Sequence, residues 1–217
     1  MGAAATLVSM KISRFAFAAA AASVLLLAGC ASAPGAIAPT STRGPALATA
    51  MPEAPSGEVV GQGTVLDTAG EVQLCLGAIM ESYPPQCLGI PVQGWSWDGV
   101  DGSETSGDVT WGSYAVVGSY DGETFTLTQS PVMLALYDPM MMPDPTGGVP
   151  GTTFDADLAT IADTVHDALG QRALSSYPQD GYLWVDVVWD DGTIQDAADA
   201  DFGDDIVIVR SALRAIG

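Results

Sequence analysis

Between Trp111 and Thr128 the side chains alternate in a way that only a β-strand can use, and this stretch constrains the fold more than any other. Tyr114, Val116, Gly118 and Tyr120 fall on one face at a spacing of two. Asp121-Gly122 follows, a pair suited to the two positive-φ positions of a tight hairpin turn, and Thr124-Phe125-Thr126-Leu127-Thr128 runs back. Upstream, Val59-Val60, Thr64-Val65-Leu66 and Val72-Gln73-Leu74 are separated by glycines and aspartates, as short strands and turns should be. The expectation is an antiparallel β unit over residues 58–137, built as a small barrel or a sandwich.

A different period takes over further on. Leu158, Ile161, Ala162, Val165 and Leu169 form one apolar stripe at helical spacing, which predicts a helix from Asp155 to Leu169. Asp155 and Asp157 suit its positive end and Gly170 is placed to stop it. His166, the single histidine, sits at the edge of the stripe near the carboxyl end and reads as a boundary residue. Gly181 to Trp189 alternates as a strand, with Leu183, Val185, Val187 and Trp189 on one side. Asp191-Gly192 then reads as another hairpin turn leading into Thr193-Ile194-Gln195, followed by the acidic stretch Asp196 to Asp205 and the apolar run Ile206 to Val209. Residues 152–217 are therefore expected to be a helix-plus-strands unit, joined to the first by a linker over 138–151 that holds four prolines and Met140-Met141-Met142. The fold class is α+β: an antiparallel β barrel or sandwich, then a helix with strands. A five-stranded OB-like barrel is one form the first unit can take, a likeness of fold that carries no function with it.

Charge narrows the function. The 217 residues hold 26 acids and 6 lysines and arginines, and every acid lies beyond residue 52. Lys11 and Arg14 precede residue 30, so residues 30–217 carry 4 − 26 = −22 and no lysine. Such a surface repels phosphate backbones and lacks the basic patch that docks onto anionic lipid, so nucleic acid is excluded as a partner.

The amino terminus reads as an address. Met10-Lys11-Ile12-Ser13-Arg14 is followed by an uncharged run from Phe15 to Ala28 and then Gly29-Cys30. A positive segment, an apolar core and small residues before a cleavage point describe a secretory signal over residues 1–29, with Met10 the better start. The run has 14 residues, whereas spanning a bilayer takes about 20. Leu27-Ala28-Gly29-Cys30 resembles the lipobox of bacterial lipoproteins at every position. That resemblance implies cleavage before Cys30 by signal peptidase II and attachment of diacylglycerol to its sulfur. The protein would then sit at the extracytoplasmic face of the cell membrane, held there by several acyl chains such as palmitate. Residues 30–57, rich in Ala, Pro, Ser, Thr and Gly, read as the lipidated cysteine and a flexible tether.

With Cys30 consumed by lipid, Cys75 and Cys87 remain as an even pair in an oxidising compartment, which predicts a structural disulfide around Ser82-Tyr83-Pro84-Pro85. Closing so short a loop stabilises a fold by ~3 kcal/mol. Two cysteines and one distant histidine do not make a zinc site.

Catalytic constellations are hard to find. Gly94-Trp95-Ser96-Trp97-Asp98 comes near a serine-nucleophile elbow, but Asp98 replaces the second glycine. No phosphate-cradling loop with a lysine exists, and no cofactor or metal is expected. Three consecutive methionines could favour Cu(I), yet adjacent residues of an extended loop point apart and neither histidine nor cysteine lies near in sequence. Asp199 to Asp205 alternates carboxylates around Gly203 as calcium likes, but lacks the closing glutamate of the helix-loop-helix pattern. Trp95 and Trp97 share one strand face and are the candidate ligand surface, with core packing as the plainer account. Cys75-Leu76-Gly77, Pro84-Pro85-Gln86-Cys87 and Asp191-Gly192-Thr193-Ile194-Gln195 resemble small surface lipoproteins of high-GC Gram-positive bacteria. That likeness transfers no activity and no functional residue. The expectation is a lipid-anchored binding or interaction module of the cell envelope, taking an envelope protein or a glycan. The alternatives are a carboxylate-based envelope hydrolase and a calcium-binding protein.

Overall fold

The computed structural model describes residues 46–216, which belong to one compact unit. The signal segment, Cys30 and the first part of the tether lie outside the described residues.

Strand β1 (Val59–Thr68) is a single long strand, where the sequence reading had two short ones. It turns into β2 (Glu71–Cys75), and β3 (Ile90–Gln93) follows. A short β4 (Glu104–Ser106) leads into β5 (Val109–Tyr120), then β6 (Phe125–Leu127) and β7 (Val132–Met133). The strands run β1-β2-β3-β6-β5, and β5 pairs back onto β1 over ten residues from Val59↔Gly118 to Thr68↔Val109. The first unit is therefore a closed five-stranded barrel in OB-like order, not a sandwich. It is mixed, because β3 and β6 pair in parallel.

The barrel is filled from the alternating faces. Val59, Val65, Leu74, Tyr114, Val116 and Phe125 are buried in one cluster. Burial pushes the Tyr114 phenol up, with Asp101 adding to the shift, and its hydroxyl donates to the Asp101 carbonyl at 2.9 Å. At the β5–β6 hairpin the expected pair of positive-φ residues is not realised. The loop spans residues 121–124, only Gly122 has positive φ (102°), and Tyr120 pairs with Phe125. Asp121 explains the difference: one carboxylate oxygen accepts the N–H groups of Glu123 (3.0 Å) and Thr124 (2.7 Å), which organises a wider turn. Those bonds hold its carboxyl below the usual range.

Helix α1 (Ala46–Thr49) precedes the barrel, and α2 (Asp155–Leu169) follows it with the bounds that the apolar stripe predicts. Leu158, Val165 and Leu169 are buried, His166 is exposed, and the Gly170 N–H closes the last turn on the His166 carbonyl. The next strand, β8 (Ala173–Gln179), is not anticipated by the sequence reading, since Ser175-Ser176 and Pro178 blur its alternation. It is an edge strand, where proline is tolerated. Its partner β9 (Tyr182–Val187) is buried on both faces, Leu183 and Val185 on one side and Trp184 on the other.

The hairpin and strand expected at Asp191 to Gln195 are wrong. Thr193–Phe202 is helix α3, and β10 (Val207–Ser211) returns parallel to β9. Asp190 decides this: its carboxylate accepts the N–H groups of Ile194 (2.8 Å) and Gln195 (3.2 Å), satisfying donors at the helix start. Ile194, Ala197 and Ala198 then bury one helical face. The last strand, β11 (Arg214–Ala215), leaves this three-stranded sheet and pairs with β1, so the carboxyl end of the chain joins the barrel.

The tether reading also needs shortening at its far end. Leu47 (1% exposed) and Ala50 (6%) pack into the core formed by α2, α3 and β9. The Asp201 carboxylate accepts the N–H groups of Ala46 and Leu47, both at 2.8 Å, and Arg172 donates to the Ala50 carbonyl. Asp201→Ala should cost about 1 kcal/mol, as loss of a helix cap does. Hydrogen exchange checks it: the amides of Ala46 and Leu47 should lose protection while those of β9 keep theirs. Unchanged protection at both would show that Asp201 does not hold α1.

Candidate functional site

A cavity of about 570 Å³ lies where the carboxyl-terminal strands meet the Pro/Met segment. Trp189, Leu213 and Arg214 line it together with Pro143 and Pro145, while Gln195 and Asp199 of α3 form another part of the wall. The segment read as a linker is thus also a wall of a cleft.

Two of the four arginines beyond residue 29 meet here, in different states. Arg210 is fully engaged: Nε donates to Asp186 Oδ1 at 2.8 Å, Nη2 lies 2.7 Å from the same oxygen and donates to the Tyr177 hydroxyl at 2.6 Å. Its guanidinium also covers the Trp184 ring at 4.8 Å from the centroid. Arg214 is not engaged in that way. Its Nη2 meets only the soft Met142 sulfur at 3.3 Å, and its Nε is buried with no hydrogen-bond partner among the described residues. A buried donor left unpaired costs ~1–3 kcal/mol, which an acceptor arriving in the cleft would recover.

Most of the remaining polar groups are committed, the exposed Asp205 carboxylate of the same lining being the exception. Gln195 Nε2 donates to the Val207 carbonyl (2.9 Å) and its Oε1 accepts the Val209 N–H (2.8 Å), so one side-chain amide seals the outer edge of β10. Asp190 caps α3, Asp199 accepts from Gln195, and Ser211 Oγ accepts the Asp190 N–H. On the proline wall, the Thr146 hydroxyl at 2.6 Å and the Thr146 N–H hold the Asp144 carboxyl below its usual range, with the Arg210 charge adding. The cleft therefore offers apolar walls, the Arg214 guanidinium and the Asp205 carboxylate.

The residues singled out from sequence fall elsewhere. Trp95 and Trp97 lie after β3, half-buried against the barrel core, with ring centroids 5.0 Å apart and 5.3 and 6.2 Å from Tyr114. Trp97 Nε1 donates to Asp67 at 2.9 Å. They cover Tyr114 and stand apart from the large cleft. Cys75 and Cys87 are joined by a disulfide, with Cα atoms 6.0 Å apart. Asp199 and Asp201 are helical rather than in a turn and make separate bonds, and no group of three or more acidic, histidine or cysteine side chains able to hold a metal occurs among the described residues. Ser96 accepts the Asp98 N–H in a loop with no helix after it.

The sequence reading missed Arg210, Arg214 and Trp189. A signal was present: within residues 30–217, of net charge −22, two of the four arginines lie four residues apart near the end. Comparison with protein-family models, with curated proteins and with solved structures finds no match.

Proposed function

We propose that the protein is a lipid-anchored, extracytoplasmic binding module of a bacterial cell envelope, with no bond-breaking step of its own, and that the cleft beside Arg214 takes its ligand. The observation that carries the ligand site is the buried Arg214 Nε without a partner, set among Trp189, Leu213 and two prolines. That combination suits a ligand with an apolar body and a carboxylate or similar acceptor, since a guanidinium presents paired donors to a planar anion. Free carboxyl ends of envelope peptides and acidic cell-wall sugars both have this chemistry. The anchor rests on Leu27-Ala28-Gly29-Cys30.

Two measurements test the reading. Cys30→Ala should abolish acyl labelling and move the protein out of the membrane fraction; unchanged partitioning would remove the anchor from the proposal. For the cleft, a thermal-melt panel with carboxylate-bearing peptides and cell-wall sugars should find a compound that raises the midpoint. At a hundredfold its dissociation constant a ligand adds ~2.7 kcal/mol. Arg214→Leu should cancel that shift, and an equal shift in the variant would show that the ligand binds elsewhere.

A further inference from the structure

The disulfide closes a loop between β2 and β3 that presents apolar side chains to solvent. Ile79 is 37% exposed, Met80 61%, Tyr83 72% and Leu88 78%. A single exposed apolar residue means little, but four exposed within ten residues of one tied loop concentrate apolar surface as interaction sites do. The loop is also held in shape before any partner arrives. Besides the disulfide, the Met80 N–H donates to the Gln86 carbonyl at 2.8 Å and Ser82 Oγ donates to the Pro84 carbonyl at 2.9 Å. The Tyr83 ring stands edge-on to Trp111 at 5.4 Å. Little conformational entropy is left to lose on binding.

Charge indicates what could cover the patch. Residues 58–150 contain twelve acids, from Glu58 to Asp144, and no lysine, arginine or histidine. The stretch of chain that holds the loop therefore carries charge of one sign, Arg214 of β11 being a cation that joins the barrel sheet from outside it. We propose that this loop is a docking surface for a protein partner whose apolar pocket is framed by lysines and arginines. Met80, Tyr83 and Leu88 enter the pocket and the carboxylates of the barrel face its cationic rim, giving both contact area and register. An anionic lipid surface meets the same field as repulsion. The surface is distinct from the Arg214 cleft and stands whether or not that cleft takes a ligand.

Site-specific photocrosslinking on intact producing cells tests this, with a benzophenone side chain placed at Tyr83, at Leu88 and at the equally exposed control Phe154. The expected result is one protein adduct from positions 83 and 88, absent at 154, whose captured face is rich in lysine and arginine. With that partner purified, binding to the full chain should weaken about tenfold between 50 and 300 mM salt. Tyr83→Ser with Leu88→Ser should weaken it by a similar factor, while an unchanged melting midpoint shows that the variant is folded. Adducts to lipid alone, no adduct, an equal adduct from Phe154, or a partner bound independently of salt and of both substitutions would each overturn the proposal.

Discussion

Replacing Leu213 with alanine will destabilise the barrel from outside its own stretch of sequence. Leu213 lies between β10 and β11, yet its side chain is fully buried in the barrel cluster with Val59, Val65 and Tyr114. Its backbone remains tied to the other sheet, because the N–H groups of Ala212 and Leu213 donate to the carbonyls of Val187 (2.8 Å) and Val188 (3.0 Å). Truncating a buried leucine typically costs ~2–5 kcal/mol, the spread reflecting how far the site can collapse. Collapse is limited here, since a Leu213 methyl fills the space beside Gly61 of β1, where an added Cβ would lie 2.8 Å from it, and a glycine has no side chain to move into the void. For a unit of this size the loss corresponds to a fall in midpoint of roughly 4–20 °C. Calorimetry on the variant decides the matter. A change below about 1 kcal/mol would mean that the carboxyl end is an ornament on the barrel and not part of it.

Gly118→Ala will cost at least as much, for a steric reason. An added Cβ at Gly118 would lie 2.1 Å from the Thr126 carbonyl oxygen and 2.8 Å from the Phe125 ring. Neither neighbour can yield cheaply. Thr126 belongs to β6, whose pairing with β5 helps to close the barrel, and Phe125 is fully buried. Overpacking a core costs ~1–3 kcal/mol, and separating two paired strands adds to that, so about 3 kcal/mol or more should be lost. Gly57→Ala is the matching control, because nothing lies within 4 Å of its added methyl, and its effect should stay within ~0.5 kcal/mol. Urea unfolding of the two variants side by side reads the difference; equal midpoints would mean that β5 and β6 separate freely at Gly118.

The two positions show different limits of sequence reading. Gly118 falls on the face of Tyr114, Val116 and Tyr120, so its inward position is legible from alternation alone, although the oxygen that forbids a Cβ there is not. Leu213 could not be placed at all. It follows an apolar run that belongs to β10, and nothing near it in the chain indicates a barrel that begins at Val59. Helix α3 illustrates a third case. Asp191-Gly192 and Thr193-Ile194 carry strand and turn chemistry locally, and the capping carboxylate of Asp190 together with the buried face of Ile194, Ala197 and Ala198 overrides it. The candidate site was less legible than the fold. Trp95 and Trp97 stand out by residue type, but type does not tell a core aromatic from an exposed one; Arg214 matters only because its partner is missing.

What the chain's own order determines is whatever neighbours a few residues apart can settle. The span of α2 and the inward face of β5 follow from a period of 3.6 and a period of two, and the pairing of Cys75 with Cys87 from the count of cysteines once Cys30 is assigned to lipid. The closure of β5 onto β1, the parallel course of β10 beside β9, the return of β11 to β1 and the cleft around Arg214 belong to the tertiary structure alone. Each joins segments far apart in the chain, so its free energy appears only when both surfaces are already formed and water is expelled from between them.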